Sequence, residues 1–258
     1  MRSLLFYSFT LSLLWMFSSC QKEATPGSTN QYLRKTTSRS GDSLNHTTYT
    51  YDNQNRLVSI SSSFNQGQGE QYRIDITYDA QGRMASASQN RNGIDSFRYD
   101  NQNRIVQKLH ITPSSTTYTG RSTYSYDTKG RLLADTLHSY WTNEIFEYTI
   151  YTYDQNDNII EVKVFRNNAG TFYVEKTMQL QFDNKTNPYY SLGPVQYFIF
   201  SDGNGLEYLL SRNNCIKKTF PNGDVISYNY VYAGDLPKSV VTTDSSDPGW
   251  TSSDEFYY

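Results

Sequence analysis

The amino-acid sequence predicts an all-β fold, an antiparallel meander of β-hairpins in a strongly curved or barrel-like sheet. Three observations support this prediction. A Tyr-Asp stretch recurs at short, nearly regular intervals, as repeat architectures do. The residues before each copy alternate between aromatic and polar side chains, which is the period of a half-buried strand. Each copy then ends in residues typical of tight hairpin turns.

The chain begins with a leader. Residues 1–19 start with a basic residue, continue with an apolar run and end with small residues, which is the order of a signal peptide. This segment is too short to be a stable membrane span. Cys20 follows in a context that resembles a bacterial lipobox, so we expect it to be diacylated and to become the mature N-terminus. The alternative is an ordinary signal peptide with an incidental Cys.

Residues 20–40 are predicted to comprise the lipidated Cys20 and a flexible tether, because Thr, Ser, Pro, Gly and Asn dominate them. Gln21-Lys22-Glu23 resembles a signal that sends some lipoproteins of Gram-negative bacteria to the outer face of the outer membrane. We therefore expect a surface-exposed or otherwise periplasm-facing outer-membrane lipoprotein, whose contact with the membrane is the lipid on Cys20. Residues 41–258 are predicted to be a single β-hairpin repeat domain.

The composition limits the classes of function. The chain has 258 residues, a formal net charge of −2 and only 36% hydrophobic residues, but 24 Tyr, so Tyr must supply much of the core. A membrane-spanning body and a nucleic-acid-binding surface are not indicated. The three His are scattered, and a lipidated Cys20 leaves Cys215 alone. We therefore predict no metal site and no cofactor, and expect Cys215 to be a buried small hydrophobe.

The repeated stretch is best seen at Tyr51-Asp52. After the Asp come two polar residues, then Gly or Asn, then Arg and an apolar residue that begins the return strand. Gly and Asn adopt a positive φ at low cost, and a turn Asp accepts hydrogen bonds from nearby backbone N–H groups. We therefore predict structural turn roles for eight residues: Asp52, Asn55, Asp79, Gly82, Asp100, Asn103, Asp127 and Gly130.

Weaker copies follow at Tyr153-Asp154 and Phe182-Asp183, and the sheet is expected to change near Pro188, which cannot sit in a central strand. Hairpin turns are predicted again at Asp202-Gly203-Asn204-Gly205, at Pro221-Asn222-Gly223-Asp224 and at Tyr232-Ala233-Gly234-Asp235-Leu236. No convincing helical period follows the leader. Roughly fourteen to sixteen strands result, and a sheet of more than ~10 strands curls or splits, which gives a barrel-like shell or a twisted arch.

The copies at Tyr51, Tyr78, Tyr99 and Tyr126 resemble the YD repeat, also called the RHS repeat, over roughly residues 45–165. The chain looks most like the uncharacterised short-array lipoproteins of Gram-negative bacteria that carry such repeats. The resemblance implies a β-hairpin shell and a link with carbohydrate binding, because the family has been linked with it. A toxin function does not carry over, because this array is far too short to enclose a toxin.

Candidate chemistry is sparse. Two of the repeated carboxylates could serve glycoside hydrolysis if the fold held them close together. However, a catalytic pair occurs once in a fold, whereas this Asp recurs in every copy of the repeat, which favours a structural role. Asp154-Gln155-Asn156-Asp157-Asn158 is similar to the start of a calcium loop but lacks its later ligands, which favours a plain turn. Candidates for stacking on a ligand are Tyr140, Trp141 and Trp250, although core filling is the commoner role of such residues.

The sequence therefore predicts a lipid-anchored cell-envelope protein that acts as a non-enzymatic interaction or binding module, with a glycan or a surface protein as partner. A glycan-active enzyme on the same scaffold and a purely structural envelope component are the alternatives.

Overall fold

Antiparallel hairpins follow one another along the chain. The computed structural model describes residues 32–65, 72–90, 93–115, 117–139, 142–192, 194–200 and 207–258. Within these ranges the strands are β1 Lys35–Ser40, β2 Ser43–Tyr51, β3 Leu57–Phe64, β4 Tyr72–Tyr78, β5 Met84–Gln89, β6 Gly93–Tyr99, β7 Ile105–Ile111, β8 Gly120–Tyr126, β9 Leu132–His138, β10 Ile145–Tyr153, β11 Ile159–Asn168, β12 Thr171–Thr186, β13 Asn213–Thr219, β14 Val225–Ala233, β15 Leu236–Asp244 and β16 Asp247–Tyr257.

Each strand pairs with its neighbours in the chain, and the first strand pairs with the last. Lys35 lies opposite Tyr257 and Ser40 opposite Ser252, so β1 and β16 close the sheet into a barrel. Closure removes the unpaired edges that an open sheet would expose. The predicted all-β antiparallel meander is confirmed, and of the two predicted shapes the barrel is the correct one.

Residues alternate between the inside and the outside of the barrel. On β4, Ile74 and Ile76 are buried, whereas Arg73 and Asp75 lie outside and form an ion pair of 2.6 Å. The same parity buries Tyr49, Phe97, Tyr124 and Tyr151 on the other strands that lead into a Tyr-Asp turn. The aromatic face therefore points inward, which is where a closed sheet can bury it.

The connection between β12 and β13 is helical. It contains two 3-10 turns, Pro188–Leu192 and Glu207–Leu210, and the α-helix α1, Pro194–Phe200. Tyr197, Phe198 and Ile199 are consecutive and are all buried. Phe198 contacts Tyr124 and Tyr197 contacts Tyr151, and both partners are buried on the inner face of the sheet, so α1 lies in the barrel interior.

An aromatic contact and a carboxylate hold α1 in place. Phe198 meets Tyr124 edge-on, with the ring centroids 4.7 Å apart. Tyr151 donates a hydrogen bond of 2.9 Å to Asp135 Oδ2, and the hydroxyl of Tyr197 also donates to this oxygen. Burial raises the pKa of Asp135, although the two phenolic donors oppose that shift.

Three sequence predictions need correction. The expectation that no helix follows the leader is wrong, because α1 has only seven residues and includes the buried run Tyr197, Phe198 and Ile199, which shows no amphipathic period. The weak copy at Phe182-Asp183 does not form a hairpin turn, since β12 continues through it to Thr186. The tether predicted over residues 20–40 extends too far, because Lys35–Ser40 is the strand that closes the barrel.

The remaining late hairpin predictions have different outcomes. Hairpin turns form around Gly223, with φ 91°, and around Gly234, with φ 68°. Asp202-Gly203-Asn204-Gly205 lies outside the described residues, as do the leader and Cys20. In the part of the chain that the structure describes, no helix has the length and apolar character needed to cross a membrane.

Candidate functional site: the Tyr–Arg ladder and its cavity

Each Tyr-Asp turn has the same backbone geometry. In the turn after β2, the Asn55 N–H donates to Asp52 O at 3.0 Å, the Asp52 N–H donates to Arg56 O, and Asn55 has φ 60°. This is a type I turn followed by a left-handed residue, a common way to close a three-residue hairpin loop. The left-handed position is occupied in the other copies by Gly82, Asn103, Gly130 and Asp157.

The side chain of each repeat Asp accepts its hydrogen bonds within its own turn. Asp52 Oδ1 accepts hydrogen bonds from the backbone N–H groups of Gln54 and Arg56, both at 2.9 Å, and Oδ2 holds Arg56 Nε at 2.7 Å. The bond from the Arg56 backbone N–H is the main reason why the pKa of Asp52 lies below its ordinary value. The matching Asp residues make the same contacts: Asp79, Asp100 and Asp127.

The Arg of each copy connects its turn to the next one. Arg56 Cζ lies 4.4 Å from the ring centroid of Tyr78, and Tyr78 donates a hydrogen bond of 2.8 Å to Leu57 O. A guanidinium over an aromatic face is attracted by the ring quadrupole. We call this series the Tyr–Arg ladder; its other rungs are Arg34–Tyr51, Arg83–Tyr99, Arg104–Tyr126 and Arg131–Tyr153.

Within the part of the chain that the structure describes, two of the rungs that connect one Tyr-Asp turn to the next lack a hydrogen bond that the others make to the following turn, those of Arg56 and Arg104. Arg83 Nη1 reaches Asn103 Oδ1 of the following turn at 3.2 Å, and Arg131 Nη1 reaches Asp157 Oδ1 at 2.9 Å. Arg56 and Arg104 differ because their following turns present Gly82 and Gly130, which have no side chain to accept such a bond. Of these two arginines only Arg104 lines the cavity described next. Among the described residues, the side-chain hydrogen bonds of Arg104 go to Asp100 alone. A guanidinium has five N–H donors, so Arg104 retains donors for a ligand.

A cavity of about 550 Å³ lies at the rung of Arg104. Tyr99, Tyr126, Arg104 and Gly130 line it on the ladder side. The helical connection lines it on the other side through Tyr190, Val195, Phe198 and Leu210. Such a volume is within the range of small-molecule sites, and its lining combines aromatic surface with a few charged donors.

The sequence-predicted ligand-stacking residues are not brought together here. Trp250 lies on β16, is 39% exposed and lines neither this cavity nor the second one described below. Tyr140 and Trp141 lie outside the described residues. Because each repeat Asp is held in its own turn, the paired carboxylates that an enzyme hypothesis required from them are not formed.

Sequence reasoning missed the residues that the helical connection contributes. Val195 and Phe198 belong to an apolar run after Pro188, and this run was the available signal. Asp154 to Asn158 forms a turn with Asp157 at φ 65°, and the described residues contain no group of three or more His, Cys, Asp or Glu suited to a metal. Cys215 is buried and forms no disulfide among the described residues, and its thiol donates to Lys217 O at 3.5 Å.

These features define a class of protein, a closed β shell built from Tyr-Asp hairpin repeats. Residues 29–148 match the model of the family described as Teneurin YD-shell. Comparison with curated proteins finds no significant match.

Two solved structures share the fold. A porin-like protein from Bacteroides uniformis superposes with a TM-score of 0.61 at 10% identity, covering 87% of this chain and 96% of its own. A porin-like protein from Bacteroides vulgatus gives a TM-score of 0.57 at 12% identity, covering 89% and 99%. At these identities the likeness establishes the fold alone.

Proposed function

We propose that the protein is a lipid-anchored, non-enzymatic binding module of the cell envelope, and that its ligand is a glycan held in the ladder cavity. The observation that carries the proposal is that Arg104 retains donors beside a cavity of about 550 Å³. Arg83 and Arg131 also line this cavity, but each already bonds to the side chain of the following turn, and Arg56 does not line the cavity.

The lining suits a carbohydrate in two respects. The C–H faces of a pyranose ring pack on aromatic surface, which Tyr190 and Phe198 supply. Its hydroxyl groups accept hydrogen bonds, for which Arg104 and the nearby Lys129 provide donors. A few well-placed polar groups within a largely apolar wall are what fixes the orientation of a ligand in most binding pockets.

The first experiment is a glycan array probed with purified protein and with Gly130→Asn. Asn already occupies this turn position at Asn55 and Asn103, and a side chain at Gly130 meets no atom within 4 Å, so the variant should fold. Its amide oxygen would accept from Arg104, as Asn103 Oδ1 accepts from Arg83, and its side chain would occupy part of the cavity that Gly130 lines. We expect the wild-type protein to bind a glycan and Gly130→Asn to lose at least tenfold in affinity.

Gly234→Asn is the matched control, because Gly234 also has a positive φ and open space around it but does not line the cavity. It should bind like the wild type. Equal loss in both variants, or undiminished binding by Gly130→Asn, would remove the ladder cavity as the site. An array that returns no ligand would favour the purely structural envelope component.

The anchor and the location are separate parts of the proposal. Growth with labelled palmitate should label the protein, and Cys20→Ala should abolish the label. Protease added to intact cells should digest the protein if it is displayed on the outer face of the outer membrane. Survival of the label in Cys20→Ala, or complete protection from protease, would remove the corresponding part.

A further inference from the structure

A second cavity, of about 340 Å³, lies on another side of α1 and has a different chemistry. We call it the polar pocket. Ile199 of α1 and Leu137 contribute apolar surface to it. Its remaining walls come from β5 to β8 and are polar, with side chains from Gln89, Asp95, Lys108, His110 and Ser122.

The register of the strands explains why these side chains converge. Asp95 of β6 is directly opposite His110 of β7, and Lys108 of β7 is directly opposite Ser122 of β8. Asp95 also shares its parity with the buried Phe97, which places it on the inner face. The pocket is thus formed by four neighbouring strands whose inward positions change from apolar to polar along the barrel.

The polar groups are buried but not sealed from solvent. Asp95 and Lys108 are 2% and 5% exposed, whereas the His110 side chain is 27% exposed. Asp95 Oδ1 accepts a hydrogen bond of 2.6 Å from His110 Nδ1, which orients the imidazole ring. Replacing buried charges with apolar residues of similar size is often neutral or stabilising, so their presence beside a cavity calls for a reason other than stability.

Several hydrogen-bond donors converge on the polar pocket. Gln89 uses its carbonyl oxygen to accept a bond of 2.9 Å from Tyr72, so its amide NH₂ is the group that donates. Lys108 has three N–H donors, and it can therefore keep a protein partner while it binds a ligand. Arg121 also lines the pocket; its Nη2 contacts His138 Nδ1 at 2.8 Å, and its Nε is buried with no hydrogen-bond partner among the described residues.

We infer that the polar pocket binds the oxyanion group of a small molecule, a carboxylate or a phosphate, between Lys108 and Ser122. The ammonium supplies charge-assisted hydrogen bonds, and the Ser122 hydroxyl and the Gln89 amide supply neutral ones. Asp95 acts through His110, which it positions at the wall of the pocket. This site is separate from the ladder cavity and does not depend on glycan binding.

The test is a calorimetric titration of the purified protein with inorganic phosphate and with acetate. We expect saturable binding of at least one anion, and a loss of at least tenfold in affinity for Lys108→Met, which keeps the length of the side chain without its charge. The matched control is Lys218→Met. Lys218 is equally buried, at 6% exposure, but does not line the polar pocket, so its replacement should leave the affinity unchanged.

Absence of binding for both anions would overturn the inference. Equal affinity in Lys108→Met and wild type would also overturn it, because the binding would then be a nonspecific surface effect. If Lys108→Met does not fold, as judged by circular dichroism, Ser122→Val carries the test. We expect that variant to lose at least threefold in affinity, and an unchanged affinity would contradict the site.

Discussion

Arg104→Ala tests the energetic role of the ladder. Arg104 Cζ lies 4.7 Å from the ring centroid of Tyr126, and Arg104 Nη2 lies 2.7 Å from Asp100 Oδ2. Losing the cation–π contact costs about 1 kcal/mol, and losing the partly exposed ion pair costs about 0.5–1 kcal/mol. The expected destabilisation is therefore about 1.5–2 kcal/mol, or a fall of about 3–8 °C in the melting temperature of a domain of this size.

Differential scanning calorimetry would measure the effect, with Arg98→Ala as the control. Arg98 is exposed on β6 and is not part of the ladder, so its loss should change stability by less than about 0.5 kcal/mol. A double-mutant cycle with Tyr126→Leu should give a coupling energy of about 1 kcal/mol between the two residues. Equal effects of Arg104→Ala and Arg98→Ala, or a coupling energy near zero, would refute the ladder as a source of stability.

Three further predictions concern pH and the interior helix. The backbone N–H of Arg104 and the groups around it lower the pKa of Asp100. The stability that this turn contributes is therefore present above the ordinary pKa of Asp and is lost as the pH falls through the lowered value. An acid titration followed by circular dichroism should show this loss, and the change should be smaller in Asp100→Asn. Burial raises the pKa of Tyr78 and Tyr99 to about 12, so the stability from these phenols is present below the ordinary pKa of Tyr and lost as pH rises through about 12. Circular dichroism during an alkaline titration should show the loss of stability in that range. Tyr197→Phe removes a donor from the buried Asp135 and should cost about 1–3 kcal/mol in urea denaturation, whereas Tyr190→Phe at an exposed position should cost little; equal costs would contradict the anchoring of α1.

The hairpin turns and the inward faces of the strands were predictable because residues close together in the sequence determine them. The positive φ of Asn55 and Gly82 and the inward parity of Ile74 and Ile76 depend on residues a few positions apart. Closure was not predictable, because it depends on pairing Lys35 with Tyr257 across the whole chain. A short polar strand such as β1 also has no alternation strong enough to distinguish it from a tether.

The candidate sites were predictable only in part. The contact of each Arg with a Tyr and with its own Asp is implied by the repeat, but the donors that Arg104 retains become visible only when Gly130 is compared with the turns that bear a side chain. Asp95 shares its parity with Phe97 and Tyr99, so the sequence contained a sign of an inward charge. Its convergence with Lys108 and Ser122 required the strand register.

The most direct test of the account is a crystal structure of the protein with the glycan that the array selects. We predict density for the sugar in the ladder cavity, in contact with Arg104 and packed against Tyr190, with the neighbouring rungs unchanged. A sugar bound on the outer surface at Trp250 or at Tyr140 and Trp141, with the ladder cavity empty, would contradict the proposal.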